Sequence, residues 1–159
     1  MAFLILFLFP QDNIMIFSKA CEYGIKAAVY VAEQSINGNR ASLKGISKEI
    51  NSPEAFTAKI LQTLVKHKII SSVKGATGGF EADVKKISRT KLLEIVIAID
   101  GSLHEGKCVL GLNQCSESQP CPVHNKYKHI KKDILTMLEK TTLAEMSNSV
   151  IEGLSCLKN

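Results

Sequence analysis

The sequence predicts a mainly α-helical fold with one small β-hairpin wing: a winged helix-turn-helix domain followed by a long C-terminal helix. Three stretches predict it. "NSPEAFTAKILQTLVKHK" (51–68) opens like a helix start and continues with apolar residues at helical spacing. "IISSVKGATGGFEA" (69–82) has strand formers on either side of a Gly-rich reversal. "HNKYKHIKKDILTMLEKT" (124–141) is long, basic and amphipathic.

The chain has 159 residues, 45% hydrophobic and 22% charged, enough for one core and a small appendage. The net charge is +5 and is unevenly placed. Residues 15–86 hold eleven Lys+Arg against six Asp+Glu, while residues 87–159 hold nine against eight. The excess positive charge in the first half suits a polyanion-binding face, with a solvated basic surface as the plain alternative.

Residues 1–14 read as an N-terminal tail, or as an artefact of start-site choice, because Met15 offers a second start. The apolar run Phe3–Phe9 is too short to span a bilayer. It also lacks a basic flank and a small-residue cleavage site. A weak membrane anchor is the alternative. The expected compartment is the reducing cytoplasm, where clustered cysteines point to metal or redox chemistry before structural disulfides.

Two domains are expected: residues 15–86 as the winged helix-turn-helix, and 87–159 as a cysteine loop with dimerisation helices. In the first, Ser18 caps "KACEYGIKAAVYVAEQS", whose face of Ala20, Tyr23, Gly24, Ala27 and Val31 permits close packing. Ser42 caps "LKGISKEI". Ser52 is the expected cap of helix 53–68, with Pro53 in its first turn and Glu54 complementing the dipole. That helix is expected to bury Phe56, Ile60, Leu61, Leu64 and Val65, and to present Thr57, Lys59, Gln62, Thr63 and Lys66. A tight helix pair of this kind is the outline of a DNA-reading unit, although many small helical domains contain one. In the wing, Ile69, Ile70 and Val73 are the strand formers and Gly75, Gly78 and Gly79 allow the reversal. No G-K-[ST] closes the glycine run, so it is not a nucleotide-phosphate loop.

In the second part, "RTKLLEIVIAIDG" is a helix capped near Thr90 and stopped by Gly101. Tyr127, Ile130, Ile134, Met137 and Leu138 form a stripe on the long helix, which wants its own core or the same helix of a second subunit. A last helix, "LAEMSNSVIEGL", is expected beside it. Between them lies "CVLGLNQCSESQPCPVH", with Cys108, Cys115, Cys121 and His124 spaced C-x6-C-x5-C-x2-H. Gly and Pro in this segment bend the backbone so that soft ligands can converge. Thiolates with a histidine suit an iron–sulfur cluster. A Cys₃His zinc site and bare redox thiols are the alternatives; zinc sites usually pair ligands in close C-x2–4-C units, which are missing here. Cys21 reads as core, and Cys156, His67, His104 and His129 show no ligand pattern.

This order of elements resembles the Rrf-two family of bacterial winged-helix regulators, which includes the iron–sulfur biogenesis regulator and the nitric-oxide-sensitive repressor. The resemblance covers 15 to about 146 and rests on "EYGIKA", "SLKGISKEI", "SSVKGATGGF", "LLEIVIAIDG" and the spaced cysteines. It implies a homodimer on a palindromic double-stranded DNA operator, acting as a repressor or activator, with affinity set by a 2Fe–2S or 4Fe–4S cluster. Positions matching the family's DNA readers are Ala55, Ala58 and Lys59, and Lys74 stands where the family has its minor-groove arginine. Lysine supplies charge there but not a planar fork. With Ser18, Ser42, Thr57, Gly78 and Gly79 these make the expected DNA-binding set. The resemblance leaves two candidates for the fourth cluster ligand, His124 and Glu22 of the partner subunit. A contact with RNA polymerase does not follow from the chain. An iron–sulfur electron carrier or enzyme accessory that does not bind DNA, with the helix-turn-helix used only for packing, is the competing class, and no arrangement of catalytic groups supports an enzyme.

Overall fold

The structure, a computed structural model, describes residues 16–75, 77–101, 110, 112–113 and 116–157. Along the described chain run α1 (Lys19–Ile36), α2 (Leu43–Glu49), α3 (Glu54–Lys66), β1 (Ser71–Val73), β2 (Gly79–Glu81), α4 (Leu92–Asp100), α5 (His124–Lys140) and α6 (Leu143–Ile151). The expected tail, residues 1–14, lies outside the described residues.

Helix α1 is the axis of the fold. Ser18 caps it, its hydroxyl accepting from the Cys21 amide at 3.1 Å. Its buried residues are small: Cys21, Gly24, Ala27, Ala28, Val29, Val31 and Ala32. Neighbouring helices can therefore approach its backbone. Gly24 marks the tightest place, where an added Cβ would lie 2.0 Å from Ile99 Cδ1 of α4. Helices α3, α4 and α6 all pack on α1. Ile46, Ile60, Leu61, Leu64, Ile95 and Leu143 join its alanines and valines in one core. A smaller cluster of Cys21, Leu92, Val96 and Leu138 fastens α5 to it. Each fully buried Leu or Ile contributes about 1.5–3 kcal/mol by leaving water.

Three local expectations are corrected. Helix α3 begins at Glu54 with Pro53 as its cap residue, not Ser52, and no side chain caps it. The Ser52 amide instead donates to the Ser47 carbonyl at 2.9 Å, closing the α2–α3 turn. Ile69 and Ile70 are buried core ahead of the hairpin, whose strand starts at Ser71. Helix α4 starts where expected, next to Thr90: Lys91 is its cap residue, and the Glu94 carboxylate accepts from the Lys91 amide at 2.8 Å. Gly101, at φ 79°, ends α4 in a conformation that favours glycine. Helix α6 packs on α1 rather than beside α5. Its start is a capping box: Thr142 Oγ1 accepts from the Glu145 amide at 3.1 Å, and the Glu145 carboxylate faces the Thr142 amide.

The hairpin is two antiparallel strands in the register Ser71↔Glu81, Ser72↔Phe80 and Val73↔Gly79. Strands this short are marginal alone. A backbone bridge between Ala41 and Phe80 ties them to the body, with hydrogen bonds of 2.9 and 2.8 Å.

Candidate nucleic-acid interface and metal loop

The α2–α3 pair forms because Asn51 takes a left-handed φ of 52° just past α2, turning the chain sharply into Ser52–Pro53. Helix α3 buries Thr57, Ile60, Leu61 and Leu64. The opposite row is Ala55, Lys59, Gln62 and Lys66, all exposed, at steps of four, three and four. It is polar and basic, with a small residue at the N-terminal end, where a helix can lie closest to a groove floor. Lys44 and Lys48 of α2 are exposed beside the start of α3. With Asn51, Ser52, Pro53 and Glu54 they line an open groove of about 520 Å³. An uncapped helix start flanked by two ammonium groups attracts phosphate.

Lys74 and Ser42 are also exposed, and the Ser42 hydroxyl caps α2 by accepting from Gly45 at 3.0 Å. Ala58 is half-buried on the flank of α3. Thr57 departs from the expected polar face. It is fully buried, its hydroxyl donating to the Pro53 carbonyl at 3.0 Å, so it cannot reach a nucleic acid from this position. Phe56 departs in the other direction: it is exposed and packs edge-on against Tyr23, ring centroids 5.9 Å apart. Lys19 and Lys26 lie 5.6 and 6.0 Å from the Tyr23 ring centroid. Gly78 and Gly79 are demanded by the turn itself. A Cβ at Gly78 would sit 2.4 Å from the Val73 carbonyl oxygen, and one at Gly79 (φ 151°) 2.8 Å from that of Ala41.

Cys108 and Cys115 lie outside the described residues. Of the expected metal set, Cys121 and His124 are described. The His124 amide donates to the Cys121 carbonyl at 3.0 Å, a turn that leads into α5. Cys121 is half-buried and His124 is buried. The turn holds a thiol and an imidazole three residues apart at the base of a helix. That donor chemistry suits a soft metal or cluster iron. Among the described residues no group of three or more metal-ligating side chains gathers. At the end of the same loop Glu117 pairs with Lys128 of α5, which holds the Glu117 carboxyl below its ordinary range. Glu22, the other candidate ligand, pairs with Lys19 at 2.9 Å in the first turn of α1.

One residue absent from the sequence reading is central here. Asp100, the last residue of α4, accepts from the Ser18 amide at 3.0 Å and from the Ser18 hydroxyl. Ser18 is therefore engaged with Asp100 and with its own helix. Burial pushes the neighbouring Cys21 thiol up to about 12, and the Asp100 carboxylate adds to the shift. Cys21 is fully buried among Leu92, Val96 and Leu138. An acid at the C-terminal, negative end of a helix opposes the dipole. That anomaly was the available signal that Asp100 serves another helix.

Residues 17–149 match the family profile described as Rrf2, iron-dependent transcriptional regulator. The chain belongs to the Rrf2 family. An HTH-type transcriptional regulator of Aquifex aeolicus is 31% identical over 137 residues, covering 84% of this chain and 92% of the relative. The regulator IscR of Yersinia enterocolitica is 26% identical over 127 residues, covering 80% and 76%. Among solved structures, CymR, the global cysteine regulator of B. subtilis, superposes with a TM-score of 0.68 at 19% identity, covering 83% of this chain and 95% of that one. T. potens IscR gives 0.65 at 22%, covering 87% and 90%. At these identities the structures establish the shared fold. The Rrf2 chain is thus a winged-helix, DNA-binding transcriptional regulator, and its family and relatives are regulators rather than enzymes. Among its described residues no helix is long and apolar enough to cross a membrane.

Proposed function

We propose that this Rrf2 chain is a cytoplasmic homodimeric regulator that binds a double-stranded operator with affinity set by an iron–sulfur cluster. Cys108, Cys115 and Cys121 would hold the cluster, with His124 or Glu22 of the partner subunit as fourth ligand. The observation that carries the reading is the turn Cys121–His124 at the base of α5. That helix leaves Ile130 and Met137 exposed, by 54% and 45%, on a face that the described residues do not cover. The metal end and the apolar face of α5 are thereby one rigid unit, so events at the ligands are felt where a second subunit would dock. When bound, the cluster supplies iron and sulfide that oxidants and nitric oxide attack directly. The protein's own part is to hold the thiolates and the imidazole, and to set the angle at which two copies of α3 meet DNA. The row Ala55, Lys59, Gln62 and Lys66 would enter the major groove, Lys44 and Lys48 would meet flanking phosphates, and Lys74 would carry the wing toward the minor groove.

The test begins with protein purified without oxygen. Visible absorption, iron and acid-labile sulfide are expected together, and Cys121→Ser is expected to abolish all three while helical content is kept. His124→Ala and Glu22→Ala should then differ, the ligand being the one whose loss strips the cluster. Stoichiometric zinc without iron or sulfide would replace the sensor with a structural metal site. Binding to duplexes selected from a random pool should fall linearly in log–log plots against salt. Lys48→Ala should reduce that slope by about 0.9, the value for one lost phosphate contact, while Lys59→Ala should weaken binding to the selected sequence.

A further inference from the structure

We propose that Arg40 is a positioning residue for the wing, acting with Glu81 to fix where the Gly-rich tip and Lys74 are presented to DNA. The proposal rests on the docking of the wing stated above. Arg40 lies in the connection between α1 and α2, one residue before the Ala41–Phe80 bridge. Its guanidinium spans the hairpin: Nε meets the Glu81 carboxylate of β2 at 2.6 Å, and Nη1 donates to the Thr77 carbonyl in the turn at 3.3 Å. Two fixed points held by one planar fork define an orientation, which a single point charge does not. The rest of the attachment runs along β2 and the residue after it: the Ala41–Phe80 bridge, and the Ala82 amide donating to Ser35 Oγ at 2.8 Å. Arg40 alone in this set reaches the turn. The hairpin, three residues per strand, has little stiffness of its own. Below the clamp Ser35, Asn39, Arg40, Thr77 and Glu81 border an open cavity of about 670 Å³, so among the described residues nothing packs the tip from beneath and its direction depends on the fork.

The pair is exposed on both sides, which bears on its size and its test. Exposed ion pairs add little to global stability. Their loss is therefore expected to show in DNA affinity with the thermal midpoint nearly unchanged. The decisive feature is sign. Glu81 is an acid close to the proposed DNA face, and removing it should strengthen binding if charge alone matters. The clamp requires the opposite.

The experiment measures affinity for one duplex, selected by the wild-type chain from a random-sequence pool, by fluorescence anisotropy across a salt series. Glu81→Ala is expected to weaken binding roughly two- to five-fold, the scale of one exposed ion pair. Glu81→Gln, which still accepts from Arg40 Nε, is expected to stay close to wild type. Arg40→Lys keeps the charge but not the fork, and is expected to lose as much as Glu81→Ala. In a Lys74→Ala background Glu81→Ala should add nothing, since both act through the wing. Tighter binding by Glu81→Ala and Glu81→Gln alike would overturn the clamp while leaving DNA binding intact. So would a wild-type-like Arg40→Lys. If Lys74→Ala itself leaves affinity unchanged, the docking of the wing fails first and the clamp fails with it.

Discussion

Helices α1 and α5 are nearly equal in length, at 18 and 17 residues, yet α1 buries seven residues and α5 two. Helix α1 is surrounded by α3, α4 and α6, and its buried face is made of residues small enough to admit them. Among the described residues helix α5 meets its own chain along one edge, where Leu138 is fully buried against Cys21, Leu92 and Val96, and Ile134 packs beside them. Ile130 and Met137 on the neighbouring row are left in water. The stripe that the sequence presents as one surface is thus divided. Leu138 and Ile134 serve the chain itself, and Ile130 with Met137 form the face on which the proposed dimer would close. An apolar pattern of helical period reveals that a helix buries a face, but not in which molecule.

The contrast can be broken most sharply by one kind of substitution on the two helices. Val31→Asp would bury a carboxylate in the fully closed face of α1, costing several kcal/mol; loss of the helical circular-dichroism signal at room temperature is the expected outcome. Leu138→Ala removes the main hold of α5 on the chain, and denaturant titration should show a loss of about 2–5 kcal/mol. Ile130→Asp places the same charge on exposed surface. It should leave the helical signal intact and convert the proposed dimer to monomer in sedimentation, whereas a stable dimer would place the interface elsewhere. The smallest effect belongs to Glu33 on α1. Partial burial, and then the Glu49 carboxylate, raise its pKa above the ordinary range. A carboxyl with a raised folded-state pKa disfavours the folded state when ionised. Glu33→Gln should therefore raise the thermal midpoint slightly near neutral pH. The gain should vanish as the pH falls through the ordinary carboxylate range, where wild type is protonated in both states.

Local chemistry made much of this fold legible. Ser18 and Ser42 cap their helices as serines before apolar periods do, Gly101 ends α4, and glycines make the wing. What was hidden depends on neighbours distant in the chain. Ser52 reads as a cap until its amide is seen closing the turn on Ser47. Thr57 reads as surface because threonine is polar, but a hydroxyl that donates to the carbonyl four residues back can enter a core. The capping box at Thr142 announces α6 without saying that α1 is its partner. For the site, the type and spacing of Cys121 and His124 were evident, and the turn that joins them follows from the start of α5. The two further cysteines, Cys108 and Cys115, lie outside the described residues.

The bond between Asp100 and Ser18 has a further consequence for the two helices it joins. It ties the last residue of α4 to the cap residue of α1, so the end of one helix holds the start of the other. Helix ends fray first, because their outermost backbone groups have no partners within the helix. Here two such ends are fastened by one carboxylate, close to where Gly24 lets Ile99 of α4 reach the backbone of α1. The first turn of α1 and the last turn of α4 are therefore expected to open as one cooperative unit.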